Sequence, residues 1–138
     1  MATEFLEHYA KPDRILAEIF RVMRCGGKFF ATVPFIWNLH EIPYDEYRYT
    51  PYSLRRILEH TGFGHMEVRA LGGSNMAMAQ QLGLWLTFAP MRRTLRRILQ
   101  VALFPLFALL VKTDRIPTDF DGDAGSMFNG LSVTATKR

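Results

Sequence analysis

Residues able to do acid–base and charge chemistry occur in two short segments, each of which follows a predicted strand. The first runs from Glu4 to His8 and the second from His40 to Arg48. In an open α/β sheet, the carboxyl ends of parallel strands meet at one edge, where ligands bind. We therefore expect both segments to open onto the same crevice.

The first segment places a histidine just beyond a strand. Because the pKa of imidazole lies near neutrality, His8 is suited to accept a proton from a hydroxyl or an amine. The alternative is structural, with His8 capping the following helix or bonding to a loop carbonyl. The sequence leaves both roles open.

The second segment mixes imidazole, carboxylate, phenol and guanidinium groups. Its polar residues are His40, Glu41, Tyr44, Asp45, Tyr47 and Arg48. Such a mixture is suited to bind a polar molecule, and the guanidinium of Arg48 matches a carboxylate or a phosphate. In the alternative, the tyrosines pack the loop down and the charges pair in solvent.

Two motifs suggest a metal but do not meet its requirements. The segment HEIPY lacks the second histidine of H-E-x-x-H, since the fifth residue is Tyr44, and Pro43 prevents a regular helix. The run from Thr118 to Asp123 lacks the register and the final glutamate of a calcium loop. The sequence therefore predicts no metal site.

The helix and the strand that position the two polar segments have clear sequence signals. Apolar residues recur at helical spacing from Ile15 to Met23, and the predicted helix starts at Pro12 and stops at Gly26 and Gly27. The next strand, 28–33, is apolar enough to be covered on both faces, and Pro34 ends its hydrogen bonding.

The rest of the chain also divides into helices and strands. A helix is predicted from the cap Thr50 and first residue Pro51 to Gly62. The remaining predictions are strands at 65–71 and 131–136, helices at 75–88 and 91–111, the second kinked or broken at Pro105, and a polar loop at 113–129. This order indicates an α/β fold.

Several of these stretches resemble one enzyme family. They are Leu6-Glu7-His8, Arg24-Cys25-Gly26-Gly27-Lys28, the segment 40–63 and the closing GLSVTATKR. In this order and spacing the chain resembles the class I S-adenosylmethionine-dependent methyltransferases of type 11. The resemblance implies a partial Rossmann-like sheet, with a remnant of strand 4, then strands 5, 6 and 7, flanking helices and a helical insertion at 74–115 before the last strand.

The resemblance also implies roles for residues. The parent enzyme would move a methyl group from S-adenosylmethionine to a small or lipid-linked acceptor. Thr3, Glu4 and Phe5 would lie near this cofactor, and His8 would be catalytic. The acceptor would contact His40, Tyr44, Asp45 and Arg48.

One departure from the family concerns the cofactor. No glycine-rich turn follows a strand in the 138 residues, although such a turn cradles the cofactor in doubly wound folds. The resemblance then implies a single truncated domain, 1–138, that starts within the fourth strand and is inactive alone. An open sheet edge is expected to promote self-association.

Composition agrees with one globular domain, since 49% of residues are hydrophobic and 22% are charged. One cysteine excludes an internal disulfide, and no secretory signal opens the sequence, so a cytoplasmic setting is expected. The net charge of +4 is mild, and no basic stripe interleaved with aromatic residues predicts nucleic-acid binding.

The densest basic cluster borders an apolar run. Its members are Arg92, Arg93, Arg96 and Arg97. The run from Ile98 to Val111 falls short of the roughly 20 residues that cross a bilayer, so we expect a helix that caps the sheet or lies in an anionic membrane surface. The alternative to an enzyme is thus a non-catalytic piece that binds a membrane surface or a partner.

Overall fold

A computed structural model describes residues 1–121 and 127–138. The strands are β1 (Ala2–Thr3), β2 (Lys28–Pro34), β3 (Phe63–Leu71) and β4 (Gly130–Lys137). The helices are α1 (Pro12–Val22), α2 (Pro51–Thr61), α3 (Ser74–Phe88) and α4 (Arg93–Lys112). A short 3-10 helix, Leu6–His8, lies between β1 and α1.

The four strands form one mixed sheet in the order β1-β2-β4-β3. Strands β1 and β2 are parallel, with Ala2 opposite Ala31, whereas β4 runs antiparallel to both of its neighbours. Leu131 of β4 lies opposite Val33 on one side and Ala70 on the other. The predicted α/β class is confirmed.

The core covers one face of this sheet. Alternate residues of the strands point into it, as their period of two requires. Helices α1 and α2 add leucines that are fully buried. Each of these leucine side chains contributes about 2 kcal/mol of hydrophobic stabilisation. The main core side chains are Leu16, Phe29, Ala31, Val33, Leu54, Leu58, Val68, Ala70, Leu131, Val133 and Ala135.

The prediction that β2 is covered on both faces is wrong. Phe29 is buried, but Phe30 on the opposite face is 37% exposed and Lys28 is exposed. The run of apolar residues suggested a doubly covered strand, yet the helices α1 and α2 both pack on the face that carries Phe29.

The predicted ends of α2 are confirmed. The Thr50 hydroxyl accepts a hydrogen bond from the Ser53 amide at 3.1 Å, and the Ser53 hydroxyl accepts one from the Thr50 amide at 2.9 Å. Gly62 ends the helix with φ of 105°, a left-handed conformation that glycine adopts without strain. Helix α1 starts at Pro12 as predicted but stops at Val22, because Met23 is already extended.

Helices α3 and α4 pack against each other. Asp114, just beyond α4, caps α3: its carboxylate accepts hydrogen bonds from the amides of Gly73 at 2.8 Å and Met76 at 2.9 Å. Helix α4 continues through Pro105, so of the kink or break predicted there, the break does not occur. Part of the predicted loop 113–129, including the last two residues of the run Thr118–Asp123, lies outside the described residues.

Helix α4 has no buried residue. It is 20 residues long, and the mean hydropathy of its most apolar window is 1.7. By length and composition alone, the helix is long and apolar enough to cross a membrane. The 14 residues of the apolar run from Ile98 to Val111 are too few to cross a bilayer by themselves, but the helix also includes the arginine-bearing turn before them.

Candidate active site

The two polar segments lie in contact at the carboxyl ends of β1 and β2. The backbone amides of Glu46 and Tyr47 both donate to the Glu7 carbonyl oxygen, at 2.8 and 3.1 Å. The buried Tyr49 hydroxyl donates to the Leu6 carbonyl oxygen at 3.2 Å, and burial raises the pKa of this phenol. The loop after β2 is therefore fastened to the 3-10 helix after β1.

His8 joins the two segments through its side chain. Its Nδ1 atom lies 3.1 Å from the Tyr44 carbonyl oxygen. Because a carbonyl only accepts, Nδ1 carries the hydrogen and Nε2 keeps a free lone pair. This Nε2 atom lies 3.7 Å from Glu7 Oε1 and 3.8 Å from Glu41 Oε2. The loop-carbonyl bond of the structural alternative is thus present, and it leaves the other nitrogen available.

Glu7 is fully buried, and neither of its carboxylate oxygens has a hydrogen-bond partner among the described residues. Burial raises the pKa of this carboxyl, and the nearby Glu4 carboxylate raises it further. Sequence reasoning missed Glu7 as a functional residue. The one feature of the sequence that pointed to Glu7 was its position next to His8. Nothing else in the sequence distinguishes a buried glutamate from a solvated one.

His40 lies against His8, with the ring centroids 4.9 Å apart and the rings nearly perpendicular. On its other side, Nδ1 of His40 lies 3.3 Å from Asp45 Oδ2. The backbone amide of His40 donates to the same carboxylate oxygen at 3.1 Å. The structure therefore brings both predicted histidines together.

Asp45 and Arg48 form a two-pronged ion pair, with contacts of 2.5 and 2.7 Å. The Asp45 side chain is only 2% exposed, and the guanidinium of Arg48 holds the pKa of this carboxyl well below its usual range. Arg48 also donates to the carbonyl oxygens of Asn38 and Tyr47. The Arg48 guanidinium thus forms its hydrogen bonds within its own loop. The Tyr44 side chain, which was also predicted to contact the acceptor, is exposed.

The predicted cofactor residues lie at the end of β1. Glu4 lines a cavity of about 300 Å³ together with Pro34, Trp37 and Leu71. Phe5 packs on Tyr9, with ring centroids 4.7 Å apart. Thr3 pairs with Thr32 of β2, and the next amide, of Glu4, donates to the Thr32 carbonyl oxygen at 3.0 Å.

Two further residues of this cavity were missed by sequence reasoning. Gln80 of α3 donates to the Ile36 carbonyl oxygen at 2.9 Å and is hydrogen-bonded to the Asn129 side chain. Both residues line the cavity. No sequence signal marked them, because Gln80 lies in a helix predicted as an insertion and Asn129 at the end of a polar loop.

No protein-family model and no curated protein matches this sequence. Among solved structures, the chain is similar to phospholethanolamine N-methyltransferase 2 of Haemonchus contortus, solved with phosphomonomethylethanolamine and S-adenosylhomocysteine. The sequences are 14% identical, the TM-score is 0.50, and the match covers 98% of this chain and 32% of the other. The likeness confirms the α/β fold class, and this chain spans about a third of that enzyme's length.

Two other structures match less well. Selenomethionine-labelled phosphoethanolamine N-methyltransferase 2 of the same organism, in complex with S-adenosyl-L-methionine, gives a TM-score of 0.48 at 17% identity, covering 98% of this chain and 32% of the other. The [4+2]-cyclase SpnF gives 0.43 at 19% identity, covering 99% of this chain and 47% of the other.

Proposed function

We propose that this chain serves methyl transfer from S-adenosylmethionine to a small or lipid-linked acceptor and forms the acceptor-facing side of the site. The observation that supports this most is the pairing of His8 with His40 at the carboxyl ends of two parallel strands. Open α/β sheets bind their ligands at this edge. The methyltransferase-like fold agrees with this location.

The cavity beside Glu4 fits one end of the cofactor. A carboxylate beside Pro34, Trp37 and Leu71 suits a group that joins an ammonium to a sulfonium, which is the methionine end of S-adenosylmethionine. The described residues carry no glycine-rich turn after a parallel strand to cradle the ribose. We propose that a segment outside these 138 residues provides it. When bound, the cofactor supplies an activated methyl group for direct displacement.

The chain's own residues would position the acceptor and move its proton. His8 Nε2 would accept the proton, because the Tyr44 carbonyl holds the hydrogen on Nδ1. The Glu7 carboxylate, 3.7 Å away, would stabilise the imidazolium. Arg48 is a positioning residue in this proposal, since its guanidinium holds Asp45, and Asp45 lies against His40.

The test is methyl transfer in a protein that joins a glycine-rich strand-turn-helix to this chain. Small hydroxyl, small amine and lipid-linked acceptors would be compared, with S-adenosylhomocysteine release as the readout. We expect His8→Ala to lower turnover roughly 100-fold or more and to flatten the pH profile near neutrality. His60→Ala, at an exposed site on α2, is the matched control. Unchanged turnover in the His8 variant would remove it from the reaction.

The second candidate function is binding to a membrane surface through α4. Seven of its large apolar side chains are exposed, and four arginines lie at its amino-terminal end. Arg96 donates to the Ala89 carbonyl oxygen at 3.1 Å and so holds the turn between α3 and α4. Arg92, Arg93 and Arg97 are exposed and would contact anionic headgroups while the apolar side chains enter the interface.

A further inference from the structure

Three side chains at the junction of the two loops are close enough to share one ion. Each offers one possible ligand atom, and the three atoms lie within 4.8 Å of one another; the residues are Glu7, His8 and His40. They come from the 3-10 helix after β1 and from the loop after β2. Glu7 has no exposed surface, so the cluster has one wall inside the protein.

The electrostatics of this cluster are unbalanced without a cation. The Tyr44 carbonyl keeps the hydrogen on His8 Nδ1, so the lone pair of Nε2 faces Glu7 Oε1 at 3.7 Å. When Glu7 is ionised, two acceptors then face each other without a donor between them. An ionised carboxylate that is buried without a partner is costly, and it is normally neutralised, paired or bound to a metal.

The ligand chemistry is selective. Two imidazoles and one carboxylate form the set found at catalytic zinc sites, which keep a fourth position for water or substrate. Imidazole also suits the neighbouring transition metals, whereas magnesium and calcium prefer oxygen ligands. Tetrahedral ligands around zinc lie about 3.3 Å apart, so a movement of about one or two ångströms closes the cluster around an ion.

One of the two histidines has the hydrogen bond that orients a metal ligand, and the other lies beside a carboxylate. A ligand histidine usually donates its other ring nitrogen to a carbonyl or a carboxylate, which orients the ring. Here the Tyr44 carbonyl oxygen lies 3.1 Å from His8 Nδ1, whereas Asp45 Oδ2 lies 3.3 Å from Nδ1 of His40 without forming a hydrogen bond to it. The ion pair with Arg48 in turn fixes Asp45.

We propose that Glu7, His8 and His40 bind a divalent transition-metal ion of the zinc type, with one coordination position left open. The segment HEIPY alone cannot hold zinc, because no second histidine follows at the right spacing. The fold supplies the missing ligands from a segment 32 residues earlier, because the two parallel strands end side by side. In the metal-free protein His8 Nε2 is the base of the proposed function; with the ion bound, His8 would be a ligand, and the ion itself would make an acceptor hydroxyl more acidic.

The test uses the 138-residue chain itself, stripped with a chelator and titrated with Co²⁺. We expect one ion per chain, a tetrahedral Co²⁺ absorption spectrum and displacement by Zn²⁺. Glu7→Gln, His8→Ala and His40→Ala should each weaken Co²⁺ binding roughly 100-fold or more, and Asp45→Asn by about 10-fold. His60→Ala and His65→Ala remove the other two histidines, both exposed, and should change nothing.

Circular dichroism spectra establish that each variant is folded. If one ligand variant fails to fold, the other two variants still test the site. A rise in the melting temperature of the starting chain on addition of Zn²⁺ provides a further test. Absence of Co²⁺ binding, or binding that is lost with His60 or His65 but not with the three proposed ligands, overturns the proposal. Metal binding without methyl transfer would support this metal site and contradict the proposed function. Methyl transfer without metal binding would support the proposed function and contradict the metal site.

Discussion

His8 Nδ1 lies 3.1 Å from the backbone carbonyl oxygen of Tyr44, and this contact joins the loop after β1 to the loop after β2. It selects one imidazole tautomer and points Nε2 toward the buried Glu7 carboxylate. The chemistry available to His8 therefore depends on how the second loop is held, and the Asp45–Arg48 ion pair within that loop helps to hold it.

Replacing the buried Glu7 by glutamine should stabilise the chelator-treated protein at neutral pH. Burial raises the folded-state pKa of Glu7 above its ordinary value of 4.5, so the folded protein binds this proton more tightly. That stability is fully present below the unfolded pKa and is lost as pH rises through the folded pKa. Glu7→Gln does not titrate, and we expect it to gain about 1 to 3 kcal/mol over the starting chain at pH 7.5 and little at pH 4.

The comparison requires urea unfolding at several pH values. The control is Glu46→Gln, which removes an exposed carboxylate from the neighbouring loop. A Glu7→Gln variant that is less stable than the starting chain at pH 7.5, with the metal removed, would show that the carboxylate has a partner.

Arg48→Ala should be strongly destabilising, because it leaves the buried Asp45 carboxylate without its cation. Because the Arg48 side chain is 25% exposed, we expect a cost of about 1 to 3 kcal/mol, between that of a surface pair and that of a fully buried pair, and a lower urea midpoint. Arg21→Ala is the matched control, since Arg21 and Glu18 form a similar pair with both side chains exposed. Equal, small shifts in the two variants would mean that the charges of the loop pair only in solvent.

Binding of α4 to anionic vesicles should depend on three arginines. Changing Arg92, Arg93 and Arg97 to glutamine should weaken co-sedimentation, and added salt should weaken binding of the starting chain, because headgroup attraction is screened. Changing the exposed Arg14, Arg24 and Arg56 to glutamine removes the same charge elsewhere. Loss of binding in both triple variants would indicate a net-charge effect, and no binding by the starting chain would dismiss this function.

The free edge of β2 should promote self-association. β4 pairs with all seven residues of β2, whereas β1 pairs with only Ala31 and Thr32. Sedimentation velocity should therefore detect oligomers, and Phe30→Lys should reduce them by placing a charge on the exposed strand. Phe88→Lys, at an exposed position on α3, is the control. A monomeric starting chain at high concentration would contradict the prediction.

Much of the fold could be predicted because its signals are local. Pro12 at a helix start, and the cap Thr50 with Gly62 at the two ends of α2, act through backbone preferences that a few residues specify. The alternation of Leu131, Val133 and Ala135 identified the core face of β4. The coverage of β2 could not be predicted, since an apolar run does not show how many faces a fold covers.

The candidate site was only partly predictable because its contacts are long-range. Spacing along the chain placed His8 and His40 after two strands, and the sheet rule brought those strand ends together. Nothing local indicated that Glu7 is buried or that Asp114 caps a helix 40 residues earlier. Such pairings depend on tertiary packing, which a single sequence does not encode as a short pattern.

Calorimetric titration with S-adenosylhomocysteine decides whether cofactor binding needs a segment outside this chain. We expect very weak or no binding by the 138-residue chain, since several buried hydrogen bonds to the cofactor, each of about 1 kcal/mol, are missing. We expect binding by a protein that adds a glycine-rich strand-turn-helix before β1, and weaker binding when Glu4 is changed to glutamine. Micromolar binding by the chain alone, or none by the extended protein, would contradict the account.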